Sequence, residues 1–328
     1  MEQRDLGTFR ERIARNRRNS LLLIAAFLAF ITVFGYIIGW AWLGDPLKAL
    51  VGLAFALVVG VIAGLISYYG GDKIVLAASR AREITHEDAP VLFNVVEEMS
   101  IAAGLPIPKV YIVDDTAPNA FATGRDPEHA IVAVTSGLLE KLDRDELQGV
   151  IAHEMSHVAN FDIRYSMLVG ILVGTTVLIS DFFLRGLWFG GGRGGRRGGG
   201  DSGGQLQLIM MVIAIVLAIL APLFARLLQL SISRQREFLA DATAVRLTRN
   251  PKGLADALQK ISGDREVLEA ANRATAHLYI VNPIKKFEKR SKGLFSTHPP
   301  IEERIQILRA LEAGGVAETT GQTSTETP

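Results

Sequence analysis

His153 and His157 stand four residues apart with Glu154 beside the first of them, in the stretch HEMSH at 153–157. On a helix this spacing puts both imidazoles on one face. Two imidazoles so placed can ligate one zinc ion, and the adjacent glutamate can take a proton from water at the metal. A catalytic zinc needs a third protein ligand and an open corner for water. The chain has no cysteine, which excludes disulfides, thiolate metal sites and cysteine nucleophiles. Any metal must therefore be held by carboxylate and histidine, and the six histidines are His86, His129, His153, His157, His277 and His298.

The candidate third ligand is Glu237, in SRQREFLAD at 233–241. Glu237 and Asp241 share a helix face. Ala240 lies about 60° round the helix from Glu237 and permits close packing against the histidine-bearing helix. Glu237 can reach the metal while Asp241 accepts an N–H from a ligand histidine and fixes its tautomer. The alternative for Glu237 is an ordinary exposed helical carboxylate. His277 is read either as a second electrophile for the oxyanion or as a structural histidine, and His298, before two prolines, as a loop-fixing residue. Asn160 and Asp162, just beyond His157, either brace the site or are solvated helix-end residues. The stretch Asn119, Ala120, Phe121 and Ala122 is either a sheet edge that pairs with an extended substrate or an ordinary hairpin strand.

These residues need elements to hold them. The segment from Leu142 to Asn160 reads as a helix, with Asp143 as N-cap and Glu146 completing a capping box. Ala89 to Ala103 has helical periodicity and stops at Gly104. Strands are expected at 109–114, 119–124 and 130–136, the last two joined by a turn at 125–128. Residues 231–262 and 301–311 read as helices. The tail from Gly314 has a disordered composition.

The rest of the chain is apolar. Hydrophobic residues make up 49% of it and charged residues 21%, so the two kinds must be segregated. The net charge of +1 leaves no field to draw the chain to nucleic acid. Four runs, at 21–43, 47–69, 167–189 and 206–230, are long enough to cross a bilayer as helices. The first is too long for a signal-peptide core. Gly35/Gly39 and Gly60/Gly64 make small-xxx-small pairs in the first hairpin. The third run is interrupted by Asp181 and Arg185, and the second hairpin spans fully or is re-entrant. Its Gly/Arg-rich tip at 190–204 reads as a flexible connection rather than an RNA-binding tract. Six arginines before residue 19 place the N-terminus in the cytoplasm, and two hairpins return both polar halves to that side. By sequence spacing, the metal ligands lie about 10–15 Å from the membrane surface.

The domain reading is a basic cytoplasmic N-terminus at 1–19, a first transmembrane hairpin at 20–69 and the first part of a catalytic domain at 70–163. The second hydrophobic hairpin follows at 164–230, the second catalytic part at 231–312 and a tail at 313–328. The fold class is mainly α with a small β-sheet.

Five stretches in this order, PNAFATG at 118–124, HEMSH at 153–157, SRQREFLAD at 233–241, AHLYIVNP at 276–283 and THPP at 297–300, resemble the HtpX-type membrane zinc metallopeptidases, relatives of the CAAX prenyl endopeptidases. The resemblance covers nearly the whole chain. It implies four membrane helices and a gluzincin-like domain with one zinc per chain, ligated by His153, His157 and Glu237, with Glu154 as base. It also implies a multi-pass protein of the plasma or inner membrane that cleaves misfolded membrane proteins on the cytoplasmic side. Its partners are then unfolded or membrane polypeptides and the lipid bilayer, with functional overlap with an ATP-dependent membrane protease and no nucleic acid. The competing readings are a zinc-binding membrane scaffold or chaperone, a prenyl-peptide protease, and a transporter.

Overall fold

The computed structural model describes residues 9–190, 234–270, 275–281 and 299–320, together with Pro283 and a few positions between 208 and 219. By internal packing the chain divides into two units. The first comprises Met1–Asn16, Asp72–Met167 and Ile232–Pro328, and the second Arg17–Gly71 and Leu168–Ser231.

The first two apolar runs form α1 (Phe9–Leu43) and α2 (Ala49–Ala78), most of which lie in the second unit. Asp45 turns the chain between them by accepting the N–H groups of Leu47 and Lys48. The helices cross where side chains vanish. A Cβ on Gly35 would lie 2.2 Å from that of Ala56, and one on Gly52 would lie 2.6 Å from the Gly35 carbonyl oxygen. Gly39 sits at the same crossing, where a Cβ on it would lie 3.2 Å from the Gly52 Cα. The seam is therefore Gly35, Gly39 and Gly52. Of the second expected pair, a Cβ on Gly60 would lie 3.1 Å from the Leu28 side chain, and one on Gly64 would meet nothing within 4 Å. Val51, Phe55, Ile62 and Leu65 are exposed on α2, an apolar surface suited to lipid.

Among the described residues, two helices are long and apolar enough to span a bilayer, Arg18–Ala41 and Ala49–Ala78. Two of the four expected runs therefore meet that test among the described residues. The third run folds into one helix, α6 (Asp162–Gly190), but it opens on Asp162 and Arg164 and carries Asp181 and Arg185 within it. The fourth run, like the Gly/Arg-rich tip and His298, lies mostly or wholly outside the described residues.

The first unit holds a four-stranded mixed sheet in the order β1-β2-β4-β3: β1 (Ala81–Glu83), β2 (Lys109–Val113), β3 (Ala120–Thr123) and β4 (Ile131–Thr135). β2 and β4 run parallel, and the other pairs are antiparallel. The turn between β3 and β4 contains a short 3₁₀ helix at Pro127–His129, capped by Asp126. The sheet face bearing Val110, Ile112, Ala120, Ala122, Val132 and Val134 packs into the same apolar core as α3 (Pro90–Ala103) and α5 (Arg144–Ala159). α3 starts with Pro90 at its first position and ends on Gly104 in the left-handed region at φ 67°. α5 begins with the expected capping box, in which Asp143 accepts from the Glu146 N–H and Glu146 accepts from the Asp143 N–H. Ser136, read as the end of a strand, instead opens a short helix, α4 (Ser136–Lys141), because Thr135 caps it through the Leu138 N–H.

Among the described residues this unit holds three further helices: α7 (Arg234–Thr248), α8 (Pro251–Gly263) and α9 (Ile301–Thr320). Gly149 lets α8 lie against α5, for a Cβ there would come within 2.7 Å of the Leu254 nitrogen. α9 continues past Gly314, so the tail read as disordered is helical as far as Thr320. No proline interrupts it, and Ala317 and Glu318 favour helix.

Candidate metal centre

The capping box fixes where α5 starts and so sets the phase of the helix. His153 and His157 project from one face, with ring centroids 4.8 Å apart. Their Nε2 atoms lie 3.2 Å from each other. α7 packs against α5 with Ala240 fully buried, which brings its carboxylates close. Glu237 Oε2 is 3.7 Å from His153 Nε2, and Glu237 Oε1 is 3.7 Å from His157 Nε2. One donor atom from each of the three side chains lies within 4.8 Å of the other two.

That donor set fits a tetrahedral zinc. Ligand bonds of about 2.0–2.2 Å at tetrahedral angles put donors about 3.3 Å apart, close to the spacings found. Two facing imidazole nitrogens and a buried carboxylate also call for a cation between them.

Each histidine is oriented from behind. His153 Nδ1 is 2.9 Å from Asp241 Oδ1, and His157 Nδ1 is 3.2 Å from Asp162 Oδ2. An N–H donated backwards leaves the Nε2 lone pair pointing to the metal position. The two rings are too close to be protonated together. Burial holds the His153 pKa below its ordinary value. Burial acts the same way on His157, but Asp162, Glu237 and Glu154 outweigh it and raise the pKa to about 9.

Glu154 faces the same cavity and is almost wholly buried. Burial raises its pKa to about 7, even though it accepts a hydrogen bond from the Ala122 N–H. A carboxylate poised near neutrality beside a metal site suits proton transfer.

The sequence comparisons agree with this geometry. The model of Peptidase family M48 matches residues 86–312. The chain belongs to peptidase family M48. Within it the chain is similar to HtpX proteases. The protease HtpX homolog of Listeria monocytogenes serotype 4b is 47% identical over 302 residues, covering 91% of this chain and 98% of that one. The homolog of Streptococcus gordonii is 44% identical over 301 residues, covering 92% and 99%. The chain is a metalloendopeptidase of this type. Among solved structures, Ste24p of S. mikatae is matched at a TM-score of 0.42 and 19% identity, covering 90% of this chain and 66% of that one.

Sequence reasoning about this M48 peptidase missed Arg304. It stands on α9 and is fully buried. Its guanidinium makes a two-pronged pair with Asp241, at 2.8 and 2.7 Å, and lies 3.4 Å from Glu237 Oε2. It also donates to the Ile280 carbonyl at 3.1 Å. Burial opposes its charge, but Asp241 and Glu237 more than offset that and keep it protonated. In the same way Arg304 holds Asp241 below the ordinary carboxylate range against the effect of burial. A signal was present in the sequence. Ile301, Arg304, Ile305 and Leu308 fall at i, i+3, i+4 and i+7, so an arginine occupies the apolar stripe of an amphipathic helix.

The remaining candidates divide. Asp162, one of two expected braces, reaches both His157 and Arg236, the latter at 3.1 Å. Asn160 turns back and donates to the Ser156 carbonyl at 3.0 Å, ending α5. His277 lines the cavity, with Nε2 2.8 Å from the Ser166 carbonyl. Nε2 therefore carries the proton, and a neutral His277 has no second N–H for an oxyanion. Asn119, Ala120 and Ala122 do lie at a sheet edge, but part of that edge is already engaged: Ala120 O accepts the Ile280 N–H at 3.0 Å.

Proposed function

We propose that this M48 metallopeptidase uses one zinc ion, held by His153, His157 and Glu237, to hydrolyse peptide bonds of misfolded or damaged membrane polypeptides on the cytoplasmic side. The observation that carries the reading is the meeting of those three side chains on two helices, with buried Glu154 beside them. When bound, the ion supplies a Lewis acid that activates water and polarises the scissile carbonyl. Glu154 accepts the water proton and passes it to the leaving amine. Asp241 and Asp162 keep the histidine tautomers correct, and Arg304 balances the carboxylates around them. His277 serves as an oxyanion electrophile only in its protonated form.

Membrane association rests on the two apolar helices and on the HtpX-type relatives. The finer reading is a multi-pass protein of the plasma or inner membrane, with the third and fourth apolar runs as a second hairpin. Its partners are then the bilayer and unfolded or membrane polypeptides, in parallel with an ATP-dependent membrane protease. The test is casein degradation in detergent with zinc, comparing wild type with Glu154→Gln, together with metal stoichiometry for wild type and Glu237→Ala. Turnover by wild type, none by Glu154→Gln, and loss of the metal in Glu237→Ala are expected. Equal turnover by Glu154→Gln, or full metal content in Glu237→Ala, sinks the reading.

A further inference from the structure

The β3 edge is where an extended polypeptide would add to the sheet, and the chain's own residues 279–281 lie on it. In an antiparallel pair, successive residues of a strand turn their main-chain groups to opposite edges. The Asn119 carbonyl accepts the Thr135 N–H and so faces β4. Ala120 and Ala122 therefore face outward. The Ala120 carbonyl takes the Ile280 N–H at 3.0 Å. The Asn119 side chain then pairs with both main-chain groups of the next residue, donating to the Val281 carbonyl at 2.9 Å and accepting its N–H at 3.4 Å. An amide that reads an N–H and a C=O of one residue recognises extended backbone and no particular side chain. The segment is fixed further by Tyr279, whose ring meets Phe121 edge-on at 5.0 Å, and by Arg304 on the Ile280 carbonyl.

The same residues close the metal cavity. Tyr279 and Ile280 line it with His153, Glu154, His157 and Glu237. The segment that holds the β3 edge therefore also forms a wall of the cavity that Glu154 faces.

We propose that Ile280 and Val281 occupy the position of an extended polypeptide substrate on β3, and that substrate enters by replacing them strand for strand. The bonds from Ala120 and Asn119 pass from the chain's own backbone to that of the substrate. The site then selects polypeptide that can lie fully extended, because the contacts given up are main-chain contacts. This rests on the peptidase reading above.

The absence of cysteine makes the test clean. Ala120 and Ile280 are joined by a main-chain hydrogen bond and both contribute to the apolar core. The hydrogen bond brings the two backbones together and both side chains enter the same core, which suits a disulfide between them. The full chain carrying Ala120→Cys and Ile280→Cys, in detergent with zinc, is assayed on unfolded casein when oxidised and after reduction with a phosphine. The oxidised form is expected to lose at least tenfold in turnover with unchanged metal content, and reduction is expected to restore it. Oxidised protein that cleaves at the reduced rate overturns the proposal. A second variant, Ile280→Pro, removes the N–H given to Ala120 and leaves Asn119 and Ala120 intact. It is expected to lower KM for casein about threefold, and an unchanged or raised KM overturns the proposal. If wild-type protein loaded with metal fails to cleave casein at all, the peptidase reading fails and takes this one with it.

Discussion

At the hairpin crossing, Gly35 and Gly39 meet Gly52 so closely that backbone touches backbone, and no polar side chain takes part. At the metal centre, α5 and α7 also approach through a small residue, Ala240, but Asp241, Glu237, His153 and Arg304 then knit the contact with charged bonds. In apolar surroundings close approach is specified by shape alone, because packing and not burial from water drives the helices together. In the catalytic unit, shape only brings the helices near; a network of ions sets their register. The hairpin should therefore answer to side-chain volume, and the metal centre to charge.

The largest expected effect separates chemistry from both kinds of packing. Glu154→Gln keeps size and burial and removes the proton acceptor. Casein turnover should fall by about a thousandfold, with metal content and thermal stability near wild type; a residual rate within tenfold would remove Glu154 as the base. Arg304→Met comes next. It leaves Asp241 charged and buried with only the neutral His153 ring beside it, at a cost of about 3–5 kcal/mol in stability. Combining it with Asp241→Leu should recover most of that stability, since an apolar pair tolerates burial. It should not recover metal affinity, because His153 then lacks its orienting carboxylate, an effect of about 10–100-fold. Thermal unfolding and competition with a metal-chelating dye read the two separately. If stability and affinity recover together, the ion network is not what sets the register.

Much of this centre was legible in advance because local rules govern it. The capping box from Asp143 to Glu146 sets the phase of α5, and a helix of known phase puts His153 and His157 on one face. Glu237 and Asp241 were readable for the same reason, and so were Gly104 as a stop and the hairpin between β3 and β4. Arg304 lay outside that reach. It stands 63 residues from Asp241 in sequence, and only the tertiary packing of α9 brings the two together. The engagement of β3 by residues 279–281 is also long-range, with Asn119 and Val281 separated by 162 residues. Gly52 as the partner of Gly35, in place of a second self-contained pair at Gly60 and Gly64, likewise depends on the crossing point of two helices, which spacing within one helix does not reveal.

The smaller effects sharpen the contrast. Gly52→Leu forces a side chain into a seam where even a Cβ would sit 2.6 Å from the Gly35 carbonyl oxygen. Overpacking of this kind costs about 1–3 kcal/mol. Lower thermal stability in detergent with unchanged metal affinity is expected, and a matching loss of metal would mean that the hairpin and the site are not specified separately.

Asp143→Ala is the mildest. It deletes the acceptor for the Glu146 N–H at the start of α5, worth about 1 kcal/mol. Glu146 remains tied to α8 through Lys260 at 2.7 Å, which limits fraying to the first turn. His153 lies more than two turns further on, inside the ion network. Metal affinity should therefore stay within twofold of wild type while unfolding shifts slightly. A larger loss of affinity would show that the phase of α5, and not the charges around it, is what holds the two imidazoles in place.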